Sequence, residues 1–168
     1  MKTNMSKGLF LAQAALIGAI YIVITIIFAP ISFGPMQVRI SEALTILPLF
    51  TPAAIPGLFI GALLGNLLGG AVLPDIIFGS LATLIAAFGT YGLRHHSKFL
   101  AVLPPIVVNA IIIPFVIHYG YGVQIPIPLL MLYVGVGQII ACGILGLLLH
   151  KVLEKYKHQI FRNQHKVE

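Results

Sequence analysis

Residues 9–29 read LFLAQAALIGAIYIVITIIFA, a predominantly apolar run that contains no charged side chain. A run of about 20 such residues is long enough to cross a bilayer as one α-helix. The strands of a transmembrane barrel alternate polar and apolar residues instead, which this run does not. It is also longer than the roughly 7–15 apolar residues of a cleaved signal peptide. The stretch therefore predicts a membrane-spanning helix.

The composition extends this prediction from one helix to the whole chain. Of the 168 residues, 59% are hydrophobic and 8% are charged, and the mean hydropathy is +1.04. Soluble domains carry roughly 25% charged residues, so we expect an all-α integral membrane protein. The net charge of +6 does not indicate a nucleic-acid partner. The basic residues collect at predicted helix ends, as in other membrane proteins.

Six apolar segments are candidate membrane helices, and we expect one compact six-helix domain over residues 1–168. The second and third helices are short, because Pro48, Pro52 and Pro56 interrupt the stretch that contains them. We place the break between them in LFTPAAIPG, residues 49–57. The predicted spans are 8–29, 41–52, 56–72, 76–93, 104–119 and 127–150.

Basic residues indicate the orientation of the chain. Lys2 and Lys7 precede the first span, RHHSK (94–98) joins the fourth and fifth, and a basic tail covers 151–168 and extends the last helix. Positively charged segments of membrane proteins stay in the cytoplasm. We therefore expect both termini to be cytoplasmic. The loops expected outside are those around 30–41, 73–75 and 119–126.

Two sets of small residues predict close contacts between helices. In GLFIGALLGNLLGG (57–70), glycine recurs every four residues and gives one helix a smooth face. We expect that face to pack against another helix of this chain. Ala12, Ala15 and Ala19 form a second stripe in the first span. Spacing alone favours their contact with the chain's own helices over a docking face for another membrane subunit.

Charged residues are rare within the apolar sequence, and FGPMQVRISEALTILP (33–48) contains two of them. One interpretation is structural. Ser41 caps a short helix, Glu42 stabilises the positive end of its dipole, and Arg39 pairs with Glu42. This interpretation explains neither Gln37 nor the recurrence of other polar groups at a similar depth.

Those other polar groups lie in or beside four further spans, and they are Asn66, Asp75, Asn109 and Gln138. A charged side chain costs about 2.5–3.5 kcal/mol at the centre of a membrane helix, so such groups mark functional sites by default. Two carboxylates with several amides suit a polar solute, uncharged or cationic, that has many N–H donors. A partner within the bundle explains Asn66 equally well.

Sequence motifs for enzymes are absent. The chain has no His-Glu-x-x-His metal motif, no Gly-x-Ser-x-Gly elbow and no Gly-x-x-x-x-Gly-Lys loop. We therefore expect no catalysis, no metal and no other cofactor in this chain, and any ATP must be hydrolysed by a partner. His95 and His96 are expected to be solvated, and Cys142 to pack inertly.

Four blocks of this sequence resemble the QueT family. They are FGPMQVRISEALTILPLFTPAAIPGLFIGALLGNLLGG (33–70), DIIFGSLATLIAA (75–87), LPPIVVNAIIIP (103–114) and LYVGVGQIIACGILG (132–146). QueT proteins are six-helix substrate-binding S-components of energy-coupling-factor (ECF) transporters in bacterial cell membranes. They import queuosine precursors, which are 7-deazaguanine bases or related compounds. The resemblance implies three partner chains, a transmembrane T-subunit and two ATPases.

The resemblance also implies roles for single residues. The first helix of an S-component commonly offers small residues to its membrane partner. Ala15 and Ala19 match that pattern and Ala12 extends it, which reverses the preference stated above. Glu42 or Asp75 would accept N1–H and the 2-amino group of the base as a bidentate pair, and we favour Glu42.

Other polar and aromatic residues complete the implied pocket. Asn109 and Gln138 would read the 6-oxo group and the ring nitrogens. Arg39 would orient Glu42 rather than touch the base. Tyr133, Tyr119 or Phe33 would stack on the ring.

Two other functions remain open from the sequence. One is a stand-alone secondary carrier or channel for a small polar solute, and the other is a structural membrane subunit without a ligand. We find no internal repeat, which disfavours the usual two-half secondary transporter.

Overall fold

The computed structural model describes residues 6–33 and 37–160, and within these ranges it contains helices and no strand. Four helices are long and apolar enough to cross a membrane, and two apolar helices are shorter. We number them α1 (Lys7–Ile27), α2 (Ile40–Leu49), α3 (Ala54–Leu68), α4 (Asp75–Gly92), α5 (Lys98–Gly120) and α6 (Ile127–Tyr156). A short helical turn, Ala29–Ser32, follows α1. The prediction of an all-α membrane protein is confirmed.

The two short helices differ from the predicted spans. Helix α2 ends at Leu49 rather than residue 52, and α3 ends at Leu68 rather than residue 72. Gly69 and Gly70 follow α3, and Gly70 has φ of +78°, a conformation that commonly ends a helix. The break between α2 and α3 falls within 49–57, as predicted.

Helices α2 and α3 are both shorter than the hydrocarbon core of a bilayer is thick. Helix α2 is a 3-10 helix of ten residues, which makes it about 20 Å long. Helix α3 has fifteen residues and is about 22 Å long. The hydrocarbon core of a bilayer is about 30 Å thick. A complete crossing by either short helix therefore stays a prediction.

Helix α2 lies in the middle of the bundle. Its residues from Ser41 to Pro48 are all buried, and it contacts α1, α3, α4 and α6. A 3-10 helix of this length has poor hydrogen-bond geometry, so packing on every side must stabilise it. Leu44 and Leu47 join Tyr21 and Leu58 in the main apolar core.

Helices α1 and α3 pack in parallel along the glycine face of α3. Gly18 lies against Gly57 and Gly61, and Thr25, further along α1, lies against Gly65. A Cβ atom added to Gly61 would be 2.8 Å from Cβ of Tyr21 and 3.1 Å from Cα of Gly18. Only glycine allows this approach, which confirms the predicted internal packing face.

The alanine stripe of α1 lies on its other side. Ala12, Ala15 and Ala19 are exposed, as are the neighbouring Leu16 and Val23. The chain's own helices therefore leave this stripe uncovered in the described structure. The last helix continues the predicted tail as far as Ile160, and residues 161–168 of that tail lie outside the described part.

Candidate functional site

Buried polar groups from one loop and three helices meet at one end of the bundle. We call five of them the polar cluster: Gln37, Arg39, Glu42, Asn66 and Asp75. The first two lie in the segment before α2, and Glu42 lies in the first turn of α2. Asn66 is near the end of α3, and Asp75 begins α4. The sequence had singled out all five.

Glu42 is 1% exposed and is oriented by hydroxyl groups from two neighbouring helices. The Tyr21 hydroxyl of α1 donates to Oε1, and the Thr83 hydroxyl of α4 donates to the same atom at 3.1 Å. The other oxygen, Oε2, has no hydrogen-bond partner among the described residues. Neighbouring helices thus fix the carboxylate through one oxygen and leave the second for another donor.

Ser41 does not cap α2, so that prediction was wrong. Arg39 occupies the cap position, and its side chain makes no capping hydrogen bond. The Ser41 hydroxyl instead shares a hydrogen bond of 2.7 Å with Thr25 Oγ1 of α1. Because α2 begins at Ile40, Ser41 already lies inside the helix and faces α1.

Asp75 is fully buried, and Arg39 is its ion-pair partner. Its Oδ2 accepts from Arg39 Nη2 at 3.3 Å and from the Tyr121 hydroxyl at 2.9 Å. The predicted pair of Arg39 with Glu42 was therefore wrong. The start of α4 lies beside the loop that carries Arg39, whereas the Glu42 side chain lies between α1 and α4. Asp75 Oδ1 has no partner among the described residues.

Tyr121, just beyond α5, is a member of this site that sequence reasoning missed. Burial raises the pKa of Tyr121, and the neighbouring Asp75 carboxylate raises it further. The phenol therefore stays protonated and donates its hydrogen bond. The one available signal was its position in HYGYG (118–122), within a predicted outer loop.

Gln37 has an unusual backbone conformation. Its φ of 42° lies in the left-handed region, which costs free energy for a residue with a side chain. Its Oε1 accepts from Arg39 Nη2 at 3.3 Å, while Nε2 has no partner among the described residues. Arg39 also lies over the Phe33 ring, 5.4 Å from its centroid. Arg39 therefore covers one face of a ring that was predicted to stack on a solute.

Asn66 connects α3 to the start of α4. Its Nδ2 donates to the backbone carbonyl of Asp75 at 3.0 Å, and its Oδ1 has no partner in the described residues. Gly79 makes this approach possible. A Cβ atom there would be 2.6 Å from Asp75 Oδ1 and 3.0 Å from Asn66 Nδ2.

Asn109 and Gln138 are buried, but neither forms a described hydrogen bond to a carboxylate. Asn109 Nδ2 donates to the Pro105 carbonyl at 2.9 Å, one turn earlier in α5. Gln138 Oε1 accepts from the Cys142 thiol at 3.1 Å, and that sulfur is 3.5 Å from the backbone carbonyl of Glu42. Gln138 thus borders the polar cluster, and Cys142 is more than inert packing.

The predicted stacking residues are dispersed. Tyr133 is half-buried in α6. Tyr119 is 73% exposed and lines an apolar cleft of about 540 Å³ with Phe78 and Phe115. Tyr119 therefore lies outside the polar cluster.

Tyr21 and Thr83 were also missed, although helical spacing carried a signal for Thr83. Asp75, Gly79 and Thr83 recur every four residues, which places them on one face of a helix. Threonine in a membrane helix commonly bonds its own backbone, and the single Thr83 hydroxyl proton is shared between Glu42 Oε1 and the Gly79 carbonyl, which also lies 3.1 Å from Oγ1. The residue type alone therefore does not mark it as a site residue.

Long apolar helices around a buried and incompletely paired polar cluster define a multi-pass membrane protein with a candidate site for a polar solute. The chain belongs to the QueT transporter family, whose family model matches residues 11–155. A curated relative is the queuosine precursor transporter QueT of Lactococcus lactis subsp. cremoris (strain MG1363), 33% identical over 82 residues. That alignment covers 48% of this chain and 48% of the relative, about half the length of each. No solved structure matches the chain significantly.

Proposed function

We propose that this chain is the substrate-binding subunit of an ATP-driven ECF-type importer. Its substrate would be a queuosine precursor of the 7-deazaguanine type. Membership of the QueT transporter family supports a role in transport. The name of the Lactococcus relative supports this class of solute.

The observation that carries the proposal is a set of unpaired polar atoms buried in the polar cluster. Among the described residues they are Gln37 Nε2, Glu42 Oε2, Asn66 Oδ1 and Asp75 Oδ1. A buried polar atom without a partner costs about 1–3 kcal/mol. Four such atoms in one region favour a solute that supplies the missing partners.

The chemistry of these atoms suits a guanine-type base. Three of them are acceptors and one is a donor. A 7-deazaguanine offers N1–H, a 2-amino group and a pyrrole N–H as donors, and a 6-oxo group as an acceptor. Glu42 would accept from N1–H and the 2-amino group, since its carboxylate is already oriented by Tyr21 and Thr83. Gln37 Nε2 would donate to the 6-oxo group.

The distribution of charge supports an outward-facing site in a bacterial cell membrane. The polar cluster lies where α2 and α4 begin and α3 ends. The exposed basic residues Arg94 and Lys98 lie at the other ends of α4 and α5. Basic loops stay in the cytoplasm, so the site would open outward and both termini would lie inside.

A membrane partner would dock on the exposed alanine stripe of α1. Ala12, Ala15 and Ala19 offer a smooth surface to another helix. The sequence has no ATP-binding loop of the Gly-x-x-x-x-Gly-Lys kind. The T-subunit and two ATPases would therefore supply the energy for release.

Uptake measurements test this proposal. The chain is expressed with a T-subunit and two ATPases in cells that lack other precursor transporters, and uptake of a radiolabelled 7-deazaguanine is followed. We expect uptake that is lost when a partner is omitted or when the phosphate-binding lysine of the ATPases is replaced. Uptake by the chain alone would contradict the proposal and favour a stand-alone secondary carrier.

A further inference from the structure

A second cavity lies on the outside of the bundle, between the start of α4 and the last turns of α5. It is the apolar cleft of about 540 Å³ that Tyr119 lines. Pro74 and Phe78 form one wall, and residues from Ile111 to Gly120 on α5 form the other. Cavities of about 300–1,000 Å³ hold whole ligands. The cleft is therefore larger than a gap between neighbouring side chains.

The walls of this cleft are apolar. Of the eight residues that line it, Tyr119 alone has a polar atom in its side chain. A polar group that entered the cleft would lose its hydrogen bonds to water without gaining others, at a cost of about 1–3 kcal/mol for each group. The cleft thus differs in chemistry from the polar cluster, and it fits an apolar occupant.

The depth of the cleft along α5 indicates where that occupant comes from. Helix α5 has 23 residues and is about 34 Å long, against about 30 Å for the hydrocarbon core of a bilayer. Ile111 and Phe115 lie nine and five residues before its end, or about 13 Å and 7 Å along the axis. Both side chains are exposed, as is Phe78 on the opposite wall. In a bilayer the cleft therefore opens to lipid chains and not to water.

The two walls meet at their outer ends. A Cβ atom added to Gly120 would be 3.3 Å from Cβ of Pro74. The next residues along the chain are Tyr121 and Asp75, which share the hydrogen bond of 2.9 Å described above. This contact separates the cleft from the polar cluster. The open side of the cleft is the one that carries the exposed apolar side chains, so an occupant enters from the membrane.

We propose that this cleft binds one acyl chain of a membrane phospholipid. A lipid chain brings no polar atom, and it supplies the dispersion contacts that the walls of an empty cleft lack. The cleft recognises the chain and not the headgroup. The lysine and arginine residues within α4, α5 and their connection are Arg94 and Lys98, and both lie at the opposite ends of these helices. This site is distinct from that of the proposed function and does not depend on it.

Photo-crosslinking of the full-length chain tests this inference without any substitution. The chain is placed in phosphatidylcholine nanodiscs that contain a small fraction of phosphatidylcholine with a diazirine on one acyl chain. After irradiation, the labelled residues are identified by peptide mass spectrometry. We expect label at Phe78, Ile111 and Phe115 to exceed that at Ile77 and Val107, which are exposed but do not line the cleft, by at least about threefold. Equal labelling of both sets would show ordinary lipid contact only and would overturn the inference.

A matched pair of substitutions tests whether the cleft retains the lipid. Ile111→Trp fills the cleft, and Val107→Trp adds the same ring one turn away on the exposed side of α5. Native mass spectrometry of protein released from the nanodiscs counts the lipids that stay bound. We expect one lipid on the native chain and on Val107→Trp, and none on Ile111→Trp.

Three other results of this measurement would overturn the inference. The first is equal retention by both variants. The second is a dimer that retains no lipid, which would assign the cleft to a second copy of the chain. The third is retention of phosphatidylglycerol but not of phosphatidylcholine, which would show that a charged headgroup elsewhere on the surface holds the lipid.

Discussion

Tyr21 and Thr83 donate hydrogen bonds to the same oxygen of Glu42. The carboxylate is therefore oriented before any solute arrives, because two helices fix its position. The free energy that binding would spend on ordering this side chain is small as a result. Asp75 is held in the same manner, through one oxygen, by Arg39 and Tyr121.

The side chain of Glu42 gives the most direct test of the site. Glu42→Gln replaces an acceptor oxygen by an NH₂ donor that opposes the N–H groups of the base. We expect the affinity for a 7-deazaguanine to fall at least about tenfold, or about 1.4 kcal/mol. Calorimetry measures the affinity, and a thermal unfolding scan checks that the protein stays folded. Unchanged affinity would remove Glu42 from the site.

Tyr121 allows a matched pair of substitutions. Tyr121→Phe deletes one of the two donors to Asp75 Oδ2. Hydrogen bonds to charged groups contribute about 1.5–3 kcal/mol, so we expect solute affinity to fall at least about tenfold. Tyr119→Phe is the control, since that exposed ring makes no described contact with Asp75. Similar losses in both variants would argue against a specific role for Tyr121.

The sequence predicted which polar residues belong to the site, but not how they pair. Carboxylates and a guanidinium in apolar sequence are rare enough to identify, and all of those singled out are buried. Their pairing depends on which helices are neighbours. Arg39 is three residues from Glu42 along the chain, yet it pairs with Asp75, thirty-six residues away. Tyr21 and Thr83 are ordinary in membrane helices, so only their positions in space reveal their roles.

At the scale of elements, the packing of α1 against α3 determines where Tyr21 lies. Gly61 leaves room for the backbone of Gly18 and for the first carbon of the Tyr21 side chain. The same contact thus supports both the bundle and the hydrogen bond to Glu42. Helix packing and site geometry are therefore coupled at Gly61.

Gly61→Ala should separate these two helices. The new Cβ would lie 2.8 Å from that of Tyr21, so the helices must move apart. We expect a loss of about 1–3 kcal/mol in stability, seen as a lower Tm in detergent, together with weaker solute binding. Gly92→Ala is the control, because nothing lies within 4 Å of its added Cβ. An equal or higher Tm for Gly61→Ala would contradict the packing argument.

The sequence predicted the positions of the helices better than it predicted whether each is an α-helix or a 3-10 helix. Hydropathy and proline positions located α2 and α3 and the break between them. The 3-10 geometry of α2 was not foreseen, because hydropathy does not distinguish i→i+3 from i→i+4 hydrogen bonding. Pro48 has no N–H to donate to a helical hydrogen bond. The packing of neighbouring helices around α2 decides that it is a 3-10 helix.

At the scale of the molecule, the two sides of α1 have different surroundings. Ala14 and Gly18 contact α3, whereas Ala12, Ala15 and Ala19 are exposed. The spacing of the small residues could not show which side of α1 packs against α3 and which side is exposed, because small side chains line both sides. Only the position of α3 shows which side the chain covers itself.

A substitution on the exposed side should separate binding from transport. Ala15→Leu adds bulk where the proposed membrane partner docks, at an exposed position outside the polar cluster. We expect solute affinity to stay the same and uptake by the assembled importer to be lost. Val107→Leu, on the exposed side of α5, is the control for added bulk facing lipid. A complex that forms and transports normally with Ala15→Leu would contradict docking at this stripe.

Helix α1 therefore belongs to two surfaces at once. Tyr21 donates a hydrogen bond to the carboxylate of the site, and the alanine stripe lies on the same helix. A subunit that displaced α1 would also displace the Tyr21 hydroxyl that donates to Glu42, and would so change the affinity for the solute. Thermodynamic reciprocity then requires that the solute alter the affinity for that subunit by the same factor. Copies of the chain with and without bound solute would therefore bind that subunit with different affinities.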